Sequence, residues 1–331
     1  MEQTHAQDDT AYLVISYYHF CSINDPNFEV QEHKQYLMTL DGRGRIYVSN
    51  QGINGQVSLE KEKASIYMQW LSQRKPFEKM EYKMQPHHSH AFAKLTVKYR
   101  SELVALGCAV DMTKTGKYLT PTQWKEVLES TADKVILDVR NDYEWKLGHF
   151  VGAEVWPCQT FKEFKERVAE LKTRITSDTK VLMYCTGGIR CELFSSLLID
   201  EGIDNVFQLH GGIINYGVHE KSQHWLGKLF VFDDRLSVPI SDEEAPVIAA
   251  CHYCEKPCEV YYNCANMDCN ELFISCRECL VSMKGCCQES CMYALRLRPY
   301  KLSSIPFRKW YHYAKTKADL LRMAQSEEVH A

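Results

Sequence analysis

The first candidate for a chemically reactive residue is a cysteine that directly follows the pattern of a buried strand. Lys180–Tyr184 (KVLMY) is apolar, and Cys185 follows it directly. Two glycines then let the backbone curl so that amide N–H groups point inward, and a helix start adds its positive end. With Arg190 as a nearby cation, the loop favours a nucleophilic thiolate. The residues between them complete the candidate active-site loop: Thr186, Gly187, Gly188 and Ile189. A buried, inert cysteine is the alternative.

A second group of cysteines has the spacing of metal ligands. Of 15 cysteines, 10 lie between Cys251 and Cys291. Four thiolates suit structural zinc, and alternating pairs would form a cross-brace with two Zn²⁺ ions. One predicted set is Cys251, Cys254, Cys276 and Cys279; the other is Cys264, Cys269, Cys291 and either Cys286 or Cys287, with Cys287 preferred. Metal-free thiols, disulfides or an iron–sulfur cluster are the alternatives.

Composition and charge limit the remaining classes of function. The chain has 331 residues, 45% of them hydrophobic, and a formal net charge of −4. No apolar run reaches the roughly 20 residues of a membrane span, and no secretory signal is present at the N-terminus. We therefore expect a cytoplasmic protein without a membrane or DNA partner. Positive charge is concentrated in residues 61–105 and 296–317, and the second segment is rich in aromatic side chains, as single-stranded nucleic-acid binding requires. A solvated arm, or one docked on the protein itself, is the alternative.

The elements around these residues predict an α/β multidomain chain. Residues 1–105 have the order β-α-β-β-α-β, with the last strand at Ala93–Tyr99, which predicts a ferredoxin-like, acylphosphatase-like α+β domain. The segment Gln51–Gly55 (QGING) is predicted to be a tight turn. Residues 115–232 alternate strands with helices, so we expect a parallel sheet with Cys185 at a strand's carboxyl end. Residues 246–331 form the Cys-rich zinc-binding region and the basic aromatic arm.

Several motifs resemble known families. Asp138–Ala153 (DVRNDYEWKLGHFVGA) and Cys185–Glu192 (CTGGIRCE) are similar to the signature and active-site loop of rhodanese domains. Four residues separate Cys185 from Arg190, one fewer than in the related dual-specificity phosphatases, which disfavours phosphate chemistry. Within the signature we expect Asp138 and Arg140 to form a buried pair, and His149 to be structural.

A narrower resemblance covers nearly the whole chain. The segments GRIYVSNQGINGQVS, HAFAKLTVKYRSELVALG and QLHGGIINY, together with the cysteine cluster, are similar to the tRNA uridine hydroxylases. Gln56 stands where that family usually has Thr, and Cys258 is an additional cysteine. The resemblance implies oxygen-dependent hydroxylation of the wobble uridine of tRNA to 5-hydroxyuridine, with O₂ as co-substrate and Cys185 as the nucleophile or persulfide carrier.

Two other functions stay open on the sequence alone. The chain could be a sulfurtransferase that passes persulfide sulfur from Cys185, or a non-catalytic RNA- or partner-binding module. No flavin or NAD motif is found. Candidate RNA-binding residues are Lys94, Lys98, Arg100, Arg308 and Lys309, each of which could equally be a solvated surface charge. The sequence gives no indication of the oligomeric state.

Overall fold

Residues 10–298 are described by the computed structural model, and the first of them build a five-stranded sheet. The strands have the order β4-β1-β3-β2-β5, and two helices pack on one face. The elements are β1 (Tyr12–Phe20), α1 (Pro26–Thr39), β2 (Arg43–Ser49), β3 (Gly52–Glu60), α2 (Lys61–Ser72), β4 (Glu81–His87) and β5 (Leu95–Tyr99). The first four strands and two helices form the predicted ferredoxin-like unit.

Two local predictions in this domain need correction. The strand that completes the ferredoxin-like order is Glu81–His87, whereas the predicted strand near Ala93–Tyr99 is an additional one that pairs parallel with β2. β4 is an edge strand that contains Pro86 and has no fully buried residue, so it lacks a clear alternation of apolar and polar residues. The predicted turn at residues 51–55 is mainly strand: Ser49 pairs with Gly52, which leaves two residues in the hairpin loop.

The central domain is a parallel sheet with the order β6-β11-β10-β7-β9. One apolar cluster lies on each face of the sheet, as predicted. The elements are β6 (Lys117–Leu119), α3 (Pro121–Glu129), β7 (Lys134–Asp138), α4 (Asp142–Trp145), β8 (Gly148–Phe150), β9 (Glu154–Val155), a 3₁₀ helix (Phe161–Arg167), α5 (Val168–Arg174), β10 (Lys180–Tyr184), α6 (Ile189–Asp200), β11 (Val206–Leu209), α7 (Gly212–Glu220), β12 (Trp225–Gly227), β13 (Leu229–Phe230) and β14 (Ser237–Val238).

Local chemistry explains where these helices begin. The Thr120 hydroxyl accepts a hydrogen bond from the Gln123 N–H at 3.3 Å, and Pro121 occupies the first turn of α3, as the sequence predicts. The predicted helix at Phe161–Leu171 is instead a 3₁₀ helix followed by α5. Phe161 and Phe164 are both buried, and the three-residue turn of a 3₁₀ helix brings such a pair to one face.

The cysteine-rich region follows with little regular structure. It contains β15 (Tyr261–Asn263), β16 (Leu272–Ile274), α8 (Arg277–Ser282) and a 3₁₀ helix (Glu289–Tyr293). Its small apolar cluster consists largely of cysteines. Among residues 10–298, no helix combines the length and the apolar character that crossing a membrane requires.

Candidate active site

Cys185 lies where β10 ends and just before α6 begins, at the carboxyl edge of the parallel sheet. Gly188, with a φ of +105°, turns the loop so that its N–H donates to the Cys185 sulfur at 3.1 Å. The first turn of α7 supports the loop, because the Ile213 and Ile214 N–H groups donate to the carbonyls of Cys185 and Thr186. The loop is therefore held on both sides by helix N-termini.

The loop stabilises the ionised form of the cysteine. Burial by itself would raise the pKa of the Cys185 thiol. A hydrogen bond from Cys191, the charge of Arg190 and the backbone N–H groups of Arg190 and Gly188 outweigh burial and lower that pKa to about 5. Cys191 is also fully buried, and burial raises its own pKa, so it is a neutral donor beside the thiolate. Cys185 is thus a thiolate at neutral pH.

The Arg190 side chain forms an ion pair that the sequence did not reveal. Its guanidinium binds both carboxylate oxygens of Glu144, with an Nη2–Oε2 distance of 2.8 Å. Glu144 is completely buried and also accepts a hydrogen bond from the Thr186 hydroxyl at 3.3 Å. Because the signature segment contains several acidic residues, sequence alone could not single out Glu144. The pair fixes Arg190 beside the loop.

The other signature residues have the structural roles expected of them. Arg140 and Asp138 form a fully buried ion pair with an Nη2–Oδ2 distance of 2.5 Å, which confirms that prediction. Tyr184 donates to the same carboxylate at 2.7 Å. His149 is engaged by the backbone carbonyl of Trp145, 3.0 Å from its Nδ1. None of these side chains lines the cavity above Cys185.

That cavity has a volume of about 290 Å³ and is enclosed by both folded domains. The central domain contributes Cys185, Thr186, Gly187, Arg190, Tyr143 and Phe232, and the N-terminal sheet contributes Tyr18, Arg45, Tyr47, Asn54, Gln56 and Lys83. The volume is close to the roughly 300 Å³ at the lower end of small-molecule sites. Tyr18 connects the two domains, because its hydroxyl donates to Glu192 at 3.0 Å. The contribution of the N-terminal sheet was not predicted.

The cysteine-rich region brings together the two predicted sets of four. The sulfurs of Cys251, Cys254, Cys276 and Cys279 lie within 4.8 Å of one another, as do those of Cys264, Cys269, Cys287 and Cys291. The two groups correspond to the alternating sets that the sequence predicts, with Cys287 rather than Cys286 in the second. N–H groups donate to these sulfurs, including Cys276 to Cys251 at 3.3 Å and Cys287 to Cys264 at 3.4 Å. Such donors favour thiolates, so both sets fit a four-coordinate metal. Cys258 lies outside both sets and packs against a neighbouring apolar cluster.

The candidate RNA-binding residues lie in two different places. Lys98 and Arg100 are exposed at the end of the N-terminal sheet, and the Arg100 guanidinium lies 5.0 Å above the Tyr47 ring. Lys94 is exposed just before β5. Arg308 and Lys309 fall outside the described residues. At the start of the basic segment, Arg296 pairs with Asp268 and Arg298 with Asn270, so these two residues dock on the cysteine-rich region.

Comparisons with known proteins agree with this architecture. Residues 12–103 match the family model of the UPF0176 acylphosphatase-like domain, residues 120–217 that of the rhodanese-like domain, and residues 226–292 that of the rhodanese C-terminal region. A solved thiosulfate sulfurtransferase from Pseudomonas aeruginosa is 27% identical over 32% of this chain and 19% of its own, with a TM-score of 0.28.

Full-length relatives are more informative. The tRNA uridine(34) hydroxylase of Protochlamydia amoebophila is 53% identical over 93% of this chain and 97% of its own. Its namesake in Chlamydia felis is 49% identical over 91% and 94%, and the one in Chlamydia trachomatis serovar D is 46% identical over 90% and 92%. At this identity and coverage, the chain belongs to the tRNA uridine(34) hydroxylase family.

Proposed function

We propose that this protein hydroxylates the wobble uridine of tRNA at C5 in an oxygen-dependent reaction that requires Cys185. The observation that carries the proposal is a cysteine whose sulfur accepts a hydrogen bond from the Gly188 N–H, in a cavity of about 290 Å³ lined by two domains. The names of its full-length relatives support tRNA as the substrate. Cytoplasmic location follows from that substrate.

The thiolate carries out the first step of the proposed reaction. Its sulfur adds to C6 of uracil, and the electron pair of the C5–C6 double bond moves onto the C5–C4–O4 unit as an enolate. Carbon C5 thereby becomes nucleophilic, which is the property that reaction with an oxygen-derived electrophile requires. Arg190 stays paired with Glu144, so its part is to stabilise the thiolate and hold the loop, with Thr186, Gly187, Gly188 and Ile189 shaping it.

The three segments 1–105, 115–232 and 246–331 then have different roles in the proposed function. We assign two structural zinc ions to the two sets of four cysteines, because four thiolates leave no position open for substrate. Lys94, Lys98 and Arg100, together with Arg308 and Lys309 of the C-terminal segment, remain our candidates for phosphate contacts outside the cavity.

Nucleoside mass spectrometry of tRNA tests the function directly. Cells lacking the protein should lose 5-hydroxyuridine derivatives, and the purified chain should restore them in isotope-labelled O₂ with incorporation of the label. Cys185→Ser should abolish the restoration, whereas Cys108→Ser, a half-buried thiol outside the cavity, should not. Loss of a thiolated base instead would favour the sulfurtransferase. Unchanged tRNA, or full activity in Cys185→Ser, would contradict the proposal.

A further inference from the structure

The two faces of the N-terminal sheet differ in character. Its covered face packs Ile15, Ile46 and Val57 against α1 and α2. No helix within residues 10–298 packs on the opposite face, and the strand registers align polar side chains on it in two rows. One row is Lys83, Ser16, Gln56 and Arg45; the next is Glu81, Tyr18, Asn54 and Tyr47. This surface, here called the open face, forms one wall of the Cys185 cavity.

The open face carries two cations without partners in the described part of the chain. Within residues 10–298, the charged groups of Lys83 and Arg45 form no ion pair or hydrogen bond. Lys83 lies 4.8 Å above the Tyr18 ring. Burial lowers the pKa of Lys83, against the opposing charges of Glu81, Cys185 and Glu192. A partly desolvated cation gains most when an anion binds beside it, and Arg190 cannot serve because Glu144 already neutralises it.

The remaining groups on the open face match a single unstacked base. Tyr47 lines the cavity with an aromatic ring, one side of which lies against the Arg100 guanidinium at 5.0 Å, and single-stranded RNA is recognised by stacking bases on such rings. The carboxamides of Asn54 and Gln56 each present a donor and an acceptor, which is the complement of the N3–H and carbonyl edge of uracil. Two cations, an aromatic ring and two carboxamides therefore line the same cavity as the thiolate.

We propose that the open face is a nucleotide-binding wall that holds one unstacked uridine of an RNA loop against Cys185. Tyr47 stacks on the base, Asn54 and Gln56 bind its Watson–Crick edge, and Lys83 and Arg45 bind the adjoining phosphates. The inference rests on the proposed function for its substrate and adds the residues that select it. A sulfurtransferase with a small acceptor would have no use for this wall.

The test measures binding without requiring the hydroxylation reaction. The full chain is alkylated at Cys185 with iodoacetamide in the presence of an anticodon stem-loop RNA that carries uridine at position 34. Bound RNA should protect Cys185. Tyr47→Ala should weaken the RNA affinity by about tenfold or more, because stacking is lost, with protection measured against the variant's own alkylation rate without RNA. Lys83→Met should weaken protection and reduce the slope of log K against log salt by about 0.7, the value for one single-strand phosphate contact.

The matched control is Lys34→Met. Lys34 is an exposed lysine on α1, behind the covered face, so this variant makes the same change of charge away from the cavity. In this variant, bound RNA should protect Cys185 from alkylation as it does in the wild type. The proposed nucleotide-binding wall would be wrong if RNA protected Cys185 equally in Tyr47→Ala, Lys83→Met and the wild type. It would also be wrong if RNA gave no protection in the wild type. Failure of the hydroxylation itself is read separately by nucleoside mass spectrometry, since RNA could protect Cys185 in a protein that leaves uridine unchanged.

Discussion

At the scale of single residues, the site depends on how charges are paired. Several groups together stabilise the thiolate of Cys185, namely one neighbouring thiol, two backbone N–H groups and one guanidinium. Arg190 contributes from a fixed position because both carboxylate oxygens of Glu144 bind its guanidinium. The thiolate therefore does not depend on a titrating base, which distinguishes it from cysteines activated by histidine.

The first prediction concerns the pH dependence of Cys185. The rate of its alkylation by iodoacetamide should rise with a midpoint near pH 5 and stay constant above about pH 7, because the thiolate is the nucleophile. An ordinary thiol would instead show a midpoint near pH 8.5, at about its unperturbed pKa. Mass spectrometry of the labelled peptide at a series of pH values gives the midpoint. A value above about 8 would contradict the assigned charge state.

The second prediction concerns the buried ion pair. Glu144→Ala leaves the Arg190 guanidinium buried without its partner, so the free energy of unfolding should fall by about 3–5 kcal/mol. The control is Glu154→Ala, which removes an exposed pair with Arg174 and should cost no more than about 1 kcal/mol. Urea unfolding of both variants measures the difference. Equal losses would show that the Glu144–Arg190 pair behaves as a surface contact.

The residues show which parts of the site the sequence determines. Cys185, its two glycines and Arg190 lie in one short segment, so their spacing is enough to predict a loop that stabilises a thiolate. Glu144, Lys83 and Tyr47 reach the site from other elements, and no spacing rule connects them to Cys185. Their side chains are ordinary for surface strands and helix starts. Lys83 and Tyr47 become part of the site only through the packing of two domains, and Glu144 only through the fold of the central domain. Neither is encoded locally in a single sequence.

At the scale of elements, one glycine connects the loop to the neighbouring domain. A Cβ at Gly188 would lie 2.8 Å from the Tyr18 hydroxyl, which is itself held by Glu192. Gly55 has a comparable role within the N-terminal sheet, where a Cβ would lie 2.4 Å from the Tyr17 ring. The sequence predicts a turn that includes Gly55. Glycine occurs both in turns and where a strand packs closely against a side chain, and periodicity cannot distinguish the two.

The third prediction uses the two loop glycines. Gly188→Ala should lower the free energy of unfolding by about 1–3 kcal/mol, because its φ is +105° and Tyr18 occupies the space. It should also raise the pKa of Cys185, since the Gly188 N–H would be displaced from the sulfur. Gly187→Ala is the control: no atom lies within 4 Å of its Cβ position, and the change in stability should stay below about 1 kcal/mol. Urea unfolding and alkylation rates measure both effects, and identical behaviour of the two variants would contradict this account.

At the scale of the whole molecule, three units of the described chain pack on one another. The N-terminal sheet encloses the Cys185 cavity, and the cysteine-rich region packs behind α4, where the Tyr261 hydroxyl donates to the Tyr143 carbonyl. The net charge of −4 does not reveal the basic residues that are candidates for RNA binding, because they are few and lie in short segments. Three of the seven buried residues in the small cluster of the cysteine-rich region are candidate metal ligands, namely Cys264, Cys287 and Cys291. We therefore expect its stability to depend on metal more than on apolar burial.

The final prediction tests that dependence. The purified chain should release about two zinc ions when its thiols are titrated with a mercurial reagent, and Cys254→Ser or Cys269→Ser should each lower the content to about one. Cys258→Ser is the control, because Cys258 lies outside both sets and its loss should leave both ions bound. A strong chelator should unfold the cysteine-rich region while the alkylation of Cys185 keeps its midpoint near pH 5, since no zinc ligand contacts the loop. A metal-free chain whose cysteines all titrate as thiols would contradict the zinc assignment, whereas a shift of the Cys185 midpoint on chelation would show that the cysteine-rich region also helps to build the active site.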